Sequence, residues 1–254
     1  MFMFGSGLLW GTPTQDATGA AIANPTPLLF GTLQDAEFDV KFELKKLHGQ
    51  NQFAVAVGRG KGEISGKAKV ADIRAGFLET IVFGVAGTNG TLSMVSDTVG
   101  VAIPASSPYT ITVTPPSSGT FDKDLGVINS ATGRPLRRVA SAPTAGEYAV
   151  SNAGVYTFAA ADSNTVVYIN YRYTATSTTG RTMTIRNLPM GYAPMFSVDF
   201  YGPFQGKQAV LTLNSCIADG WKLSTKNDDF SVPEVGFSAQ ADAGGIIGKL
   251  AFSE

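Results

Sequence analysis

The chain has 254 residues, a formal net charge of −1 and charged side chains at only 15% of its positions. This balance argues against a basic nucleic-acid-binding surface, which needs many Lys and Arg contacts to phosphate. The single cysteine, Cys216, excludes an intramolecular disulfide framework, and no apolar run reaches the roughly 18 residues of a membrane-spanning helix. Hydrophobic residues make up 44% of the chain, which is enough for a sizeable core, and the low charge favours a protein that works in an assembled state.

Residues 1–30 are predicted to form an extended arm with loops. Leu8, Leu9 and Trp10 are apolar, but glycines and prolines around them break any long element. The arm packs either across a neighbouring subunit or over its own core, and the sequence leaves both open. The first residues lack the positive segment of a secretion signal, so we expect synthesis in the cytoplasm.

A long two-faced hairpin is predicted between residues 31 and 70. Its first strand alternates with the period of two that is typical of a half-buried strand. The apolar face, predicted to be buried, contains Ala36, Phe38, Val40, Phe42 and Leu44. The opposite face, predicted to lie in solvent or in a polar lumen, contains Asp35, Glu37, Asp39, Lys41, Glu43 and Lys45.

The returning half of this hairpin is interrupted by glycines. The chain is predicted to turn at 49–52, and the alternation resumes at 53–57 and again at 63–70. The glycine-rich residues 58–62 are predicted to form a turn or a bulge and not a phosphate-binding loop. Lys61 stands where such a loop needs a glycine, and Ala68 stands where a hydroxyl would bind magnesium.

One short helix is predicted after the hairpin. Ile73, Phe77 and Ile81 recur every four residues, Asp72 precedes them as a candidate N-cap, and Gly84 follows them as a candidate end. A hairpin followed by one helix predicts a sheet that rolls up and is plugged by that helix.

The fold class is predicted to be mainly β, with a β-sandwich or barrel core, one short helix and a β-rich inserted section. A glycine- and serine-rich passage from 84 to 100 marks a boundary. Residues 1–99 and 179–254 are predicted to form the core together, with strands after residue 195 pairing with the hairpin. Residues 100–178 are predicted to be an insertion, either a small sandwich or a long decorated hairpin.

The sequence offers no convincing active site. A lone His48 and a lone Cys216 argue against a Ser-His-Asp or Cys-His relay and against the common zinc sites. Asp35, Glu37 and Asp39 follow one another at about 7 Å along a strand face, so a glycosidase pair is an alternative to a solvated face. We therefore predict a protein that is not an enzyme and that has no cofactor and no metal. A basic cluster is predicted to be a solvated loop or an intersubunit ion-pair donor and not an anion site, and it consists of Arg134, Arg137 and Arg138.

Short segments near both ends of the chain share a further pattern. Those in the first half are FGSGLLWGTP at 4–13, NPTP at 24–27, FGTLQD at 30–35, LKKLHGQ at 44–50, FAVAV at 53–57, KAKV at 67–70 and the helix ending in Phe83 and Gly84. Those in the second half are PF at 203–204, WKL at 221–223 and the run 230–241. In these segments the chain resembles the major tail proteins of long-tailed bacteriophages, which are the subunits of the tail tube. The resemblance skips the middle of the chain.

The resemblance implies a structural role. Subunits of that family form hexameric rings that stack into a tube, and long hairpins of neighbouring subunits pair edge to edge. The tube is a passive conduit for DNA and tape-measure protein, without specific binding, and it meets tail tip and terminator proteins. The resemblance therefore implies a place in the virion tail, no membrane and no cofactor. The middle section would be an external decoration domain or a long intersubunit arm.

A lumen lined by carboxylates would repel DNA phosphates. The candidate lumen-lining residues are Asp35, Glu37, Asp39 and Glu43, although Lys41 and Lys45 dilute this face.

Other functions stay open at this point. A receptor- or carbohydrate-binding virion module would use the aromatic strand at 168–173 as a stacking surface. A glycoside hydrolase would use carboxylates alone. A head decoration protein and the inner tube of a contractile secretion apparatus have a similar β-rich character.

Overall fold

The structure is a computed structural model that describes residues 5–253, and its strands confirm the predicted mainly β fold. The first four strands are β1 (Leu8–Gln15), β2 (Leu28–Leu29), β3 (Leu33–His48) and β4 (Ala54–Val70). The middle strands are β5 (Thr88–Asn89), β6 (Thr91–Val95), β7 (Val101–Ala102), β8 (Thr110–Thr112), β9 (Thr120–Asn129), β10 (Arg137–Arg138), β11 (Glu147–Val150), β12 (Val155–Phe158), β13 (Val166–Ala175) and β14 (Arg181–Thr182). The last four are β15 (Met195–Phe204), β16 (Lys207–Lys222), β17 (Glu234–Ala239) and β18 (Gly248–Phe252).

The chain divides into two compact units. Unit 1 runs to Gly87 and resumes at Met183, and unit 2 is Thr88–Thr182. The predicted insertion covers 100–178, so the unit in the structure is longer at both ends. The reason is strand pairing, because β6 pairs with β13 and β5 pairs with β14, all within unit 2.

Unit 1 is built on one antiparallel sheet. Its strand order is β2-β1-β15-β16-β17-β4-β3, with β18 also beside β16. The sheet is rolled, since the ring of Phe38 on β3 lies 5.2 Å from the ring of Phe200 on β15, although three strands separate β3 from β15 in the sheet order. Residues from both ends of the chain fill the interior, and the central rings are Phe30, Phe77, Phe196 and Phe237.

The N-terminal segment packs on the sheet of its own chain. Strand β1 pairs with β15 from Leu8 to Gln15, and β2 pairs with β1. Leu9 and Phe30 are both buried in the core of unit 1. Of the two predicted arrangements of the arm, the described part therefore adopts the one over its own core. The resemblance segment at 4–13 begins at Phe4, and residues 1–4 lie outside the described residues.

The predicted helix consists of an α-helical turn at Ala75–Phe77 and a π-helical turn at Leu78–Val82. Phe77 and Ile81 are buried as predicted, whereas Ile73 is about half exposed and lies before the helix. Gly84 follows the helix with φ of 60°, the left-handed conformation that suits a glycine at a helix end.

Asp72 does not cap this helix, and that prediction is wrong. Its carboxylate accepts hydrogen bonds from the backbone N–H of Thr32 and from Nε of Arg74, the latter at 2.7 Å. The Thr32 bond, followed by the Arg74 bond, lowers the pKa of Asp72 to about 2. The N-cap position is Arg74, which makes no side-chain capping bond. Asp72 thus ties the helix approach to the start of β3.

Unit 2 is a small β-sandwich, which is one of the two predicted forms. One sheet has the order β10-β11-β12-β8, and the other has the order β6-β13-β7 with β9 also beside β13. Eight buried residues form the core of unit 2: Ile103, Val127, Tyr148, Tyr156, Phe158, Val167, Ile169 and Tyr171.

A buried carboxylate links the two sheets of unit 2. Asp124 on β9 accepts a hydrogen bond from the Tyr148 hydroxyl at 2.7 Å and one from the Tyr156 hydroxyl at 3.0 Å. Both tyrosines belong to the opposite sheet, and burial, with the Asp124 contact, raises the pKa of each. The backbone N–H of Gly126 donates a third bond to Asp124, so this buried charge is well satisfied.

Candidate functional site

The hairpin of β3 and β4 extends beyond the sheet that supports it. The two strands pair from Leu33 to His48, but β17 pairs with β4 only as far as Ile64, which lies opposite Val40. Residues 41–48 and 54–63, here called the hairpin extension, therefore have only each other as strand neighbours in the described chain. Eight residues at about 3.3 Å each make this extension about 25 Å long.

One face of the extension is apolar and uncovered. The side chains on this face are between 48% and 58% exposed. Phe42, Leu44 and Lys46 follow one another at intervals of two residues along β3, so they lie on the same face. Val57 shares this face because it lies directly opposite Lys46. Near the turn, Leu47, Phe53 and Val55 are more exposed still. We call four exposed apolar residues of this face, the first of them just before the extension, the apolar strip: Val40, Phe42, Leu44 and Val57.

The predicted burial of this face is correct only for its first part. Ala36 and Phe38 are partly buried, and the Phe38 ring packs against Phe200 and Phe237. Val40, Phe42 and Leu44 were expected in the core and are exposed, so that prediction is wrong. The physical reason is that the interior of unit 1 ends where β17 ends, and no second layer covers the strip within one described chain.

The glycine-rich residues 58–62 do not interrupt the hairpin. They belong to β4, which carries a bulge where Lys61 and Gly60 together oppose Glu43. Beyond the bulge Arg59 lies opposite Leu44, and its guanidinium carbon sits 4.4 Å from the centre of the Phe42 ring. This cation–π contact holds a charge at the rim of the apolar strip.

The opposite face of β3 carries the four candidate lumen-lining carboxylates, and lysines accompany them. Asp35 is paired with Lys69 at 2.9 Å, and Asp39 and Glu43 are paired with Lys41 and Lys45. These contacts with Asp39 and Asp35 raise the pKa of Lys41 and of Lys69. Glu37 lies directly opposite Lys67 across the hairpin. The structure thus places all four carboxylates on one face, here called the charged strip, but that face is balanced in charge.

The charged strip does not form a cleft for a sugar. The hollow beside Glu37 and Asp39 has a volume of about 90 Å³. Ligand pockets typically measure about 300–1,000 Å³. This size disfavours the glycosidase alternative at Asp35, Glu37 and Asp39.

The other candidate residues stay apart. His48 is exposed at the far end of β3, whereas Cys216 is buried in the core of unit 1, where burial raises the pKa of its thiol to about 12. In unit 2, Nε of Arg137 donates to Glu147 at 2.9 Å, and Nη1 of Arg138 lies 3.7 Å from Asp124. The exposed Arg134 completes the cluster. Two of its three arginines are therefore paired with carboxylates of their own unit.

The aromatic strand of unit 2 does not present a stacking surface. Tyr171 is buried, and Tyr173 packs against the same core. Tyr168 points to the other face of β13 and is only partly exposed. Tyr171 and Tyr173 thus lie on the core side of β13 and Tyr168 on the other side, so the strand lacks the stacking surface that the carbohydrate-binding alternative requires.

The exposure of the hairpin does not follow from its alternation, although strand length is a signal for it. Strands β3 and β4 have 16 and 17 residues, far longer than the usual 5–6. Nor does alternation show that Leu250 and Phe252 on β18 are more than half exposed.

Among residues 5–253, no group of three or more His, Cys, Asp and Glu side chains could hold a metal ion. Within the same range, every helix is too short to cross a bilayer. No protein-family model matches the chain. No curated protein matches it either.

Proposed function

We propose that this chain is a structural subunit that assembles with copies of itself into stacked rings, forming a tube like the tail tube of long-tailed bacteriophages. The observation that carries the proposal is the apolar strip, which the described chain leaves uncovered on a hairpin that extends beyond its own sheet. The resemblance in the terminal segments supplies the kind of assembly, and the proposed place is the virion tail.

Exposed apolar strips on long strands favour association. Burying a half-exposed Val, Leu or Phe side chain stabilises the buried state by about 1 kcal/mol, so four of them contribute several kcal/mol per subunit. A subunit that stayed alone would leave a long strand edge and an apolar face in water, which is an aggregation hazard. Repeated contacts between copies turn the same features into an ordered interface.

The charged strip is the proposed lining of the lumen. Its carboxylates, Asp35, Glu37, Asp39 and Glu43, are accompanied by lysines, so the surface is well hydrated and has little net charge. Such a surface gives passing DNA no row of cations to bind, because DNA affinity depends on phosphate contacts to Lys and Arg. Tape-measure protein would meet the same surface. The proposed mechanism is passive transit.

Assembly is tested with the purified protein. We expect rings or tubes in negative-stain electron microscopy and a concentration-dependent increase in mass by sedimentation velocity. Phe42→Asp should prevent assembly while circular dichroism and melting temperature stay unchanged, because Phe42 lies outside the core. Val99→Asp in unit 2 is the matched control, since Val99 is 88% exposed and should tolerate the same change. A wild-type protein that stays monomeric at every concentration would overturn the proposal.

The lumen assignment has a separate test. Replacing Asp35, Glu37 and Asp39 of the charged strip with lysine should leave tubes intact but make them retain linear DNA in a salt-dependent manner. Replacement with Asn and Gln controls for the loss of ion pairs without the gain of positive charge. Tubes that do not retain DNA after the lysine changes would contradict this assignment of the lumen.

A further inference from the structure

Strands β18 and β3 of unit 1 each have an open edge. Strand β18 pairs with β16 on one side, and β3 pairs with β4 on one side. Within residues 5–253 no strand pairs with the other edge of either one. An open edge presents unpaired backbone N–H and C=O groups, which a strand of another molecule completes.

The side chains of β18 are compatible with such pairing. Leu250 lies opposite Leu211, and Phe252 lies opposite the buried Ala209, so both point to the core side of the sheet. They are nevertheless 60% and 56% exposed. Lys249 alternates with them and points to the other face. Strand β18 therefore combines an apolar face, a cation on the opposite face and a free edge.

We propose that β18 of one copy adds to the free edge of β3 of the next copy, in an antiparallel register that places Leu250 opposite Phe42. This inference rests on the proposed function and names the two surfaces that join neighbouring subunits. The register places Phe252 opposite Val40, so that the apolar faces of both strands merge. On the other face it places Lys249 opposite Glu43.

Charge selects this register from its neighbours. A shift of two residues in either direction brings Leu250 opposite Val40 or Leu44, and Lys249 then faces Lys41 or Lys45. Like charges directly opposite one another destabilise a strand pair. The antiparallel direction matches every pairing in the sheet of unit 1.

The free edge of β4 is a poorer partner than that of β3. The bulges between Asp35 and His48 place their extra residues on β4, one of them where Gly60 and Lys61 oppose Glu43. A bulge bends the strand and disrupts its edge. The edge of β3 is regular over the same length.

The contact joins two different surfaces of the same chain. Every copy therefore offers one β18 edge and one β3 edge, and the contact repeats head to tail. Such an interface generates a ring when the rotation closes and a filament when it does not.

A charge exchange tests the register. Lys249→Glu or Glu43→Lys alone should raise the protein concentration needed for assembly about tenfold, because attraction becomes repulsion. The double variant should restore assembly to within about twofold of wild type, since the pair is reversed and not lost. Lys123→Glu, on an exposed residue of unit 2, controls for the change in net charge.

Cross-linking tests the same register directly. A mixture of Phe42→Cys and Leu250→Cys proteins should form a disulfide-linked dimer on oxidation, because directly opposite residues have Cα atoms about 4.5–5.5 Å apart. Lys41→Cys mixed with Leu250→Cys is the control, since these side chains lie on opposite faces. Buried Cys216 leaves the native background unreactive.

The outcomes separate the two proposals. Rescue by the double variant together with the Phe42–Leu250 cross-link supports the register. Tubes that form without either result overturn the register and leave the proposed function standing. A monomeric wild-type protein without the cross-link overturns both.

Discussion

Gly66 on β4 is the position where a single added methyl group should do the most damage to unit 1. A Cβ at this position would lie 2.3 Å from the nearest atom of the Phe237 ring. Gly66 and Phe237 are directly opposite in the β4–β17 pair, and the Phe237 ring is fully buried among Phe30, Phe38 and Phe196. We predict that Gly66→Ala forces this ring out of its position.

The magnitude follows from two opposing effects. Overpacking a well-filled core costs about 1–3 kcal/mol, whereas Ala in place of Gly within a strand recovers about 0.5–1 kcal/mol of conformational entropy. The net loss in the free energy of unfolding is therefore about 1–2 kcal/mol. Gly58→Ala is the matched control on the same strand, because a Cβ there meets no atom within 4 Å. The control should be neutral or slightly stabilising.

Urea unfolding followed by tryptophan fluorescence measures this difference. Trp10 and Trp221 are the only tryptophans of the chain, and both lie in unit 1, so their emission reports the unit that contains Gly66. With a slope of about 2 kcal/mol per M, the midpoint of Gly66→Ala should fall by about 0.5–1 M. Adding Phe237→Leu to Gly66→Ala should cost less than the sum of the two single changes. Equal midpoints for Gly66→Ala and Gly58→Ala would refute the reasoning.

Three further predictions concern buried groups. The Cys216 thiol should not react with a thiol reagent at neutral pH in the folded protein, because burial raises its pKa to about 12. It should react once the chain is unfolded. Fast labelling of the folded protein would contradict this prediction. Tyr156→Phe should lower the free energy of unfolding of unit 2 by about 1–3 kcal/mol, because Asp124 loses one of its donors; near-UV circular dichroism of the tyrosines monitors this, and an unchanged stability would refute it. The hydrogen bond from the Thr144 N–H is the largest of the contacts that lower the pKa of Glu147 to about 2. The unfolded chain therefore binds a proton on Glu147 more tightly than the folded chain does. The stabilising contribution of Glu147 should therefore be lost as pH falls from about 4.5 towards about 2. A Glu147→Gln variant should lack this part of the pH dependence in melting-temperature measurements, and an identical pH profile would count against it.

Periodicity predicts which way side chains point but not how far their cover extends. Along β3 the alternation is the same at Phe38 and at Phe42, and both were assigned to a buried face. Phe38 is partly buried because strands from the other end of the chain curl over it, while Phe42 lies beyond the end of β17. The limit is set by pairing between residues far apart in sequence, which no local pattern contains.

The glycine-rich and the aromatic stretch show the same limit of local patterns. At 58–62 the sequence predicts a turn or a bulge, and the structure has the bulge: strand pairing continues through these residues because it uses backbone groups that glycine also has. The tyrosines at 168–173 were grouped by proximity in sequence. A strand sends neighbouring side chains to opposite faces, so Tyr171 entered the core and Tyr168 did not.

In the proposed assembly, one strand serves both folding and the contact between copies, and the change from buried to exposed side chains along β3 divides the two roles. Up to Val40, which lies opposite Ile64, the apolar side of β3 belongs to the core of its own chain. From Val40 onwards the same side is exposed, and so it adds little to the stability of a single molecule. Selection for folding alone would tolerate polar residues at Phe42 and Leu44, where the chain instead has large apolar side chains. In the proposed assembly these side chains have a role, because the surface that covers them there comes from another copy of the chain.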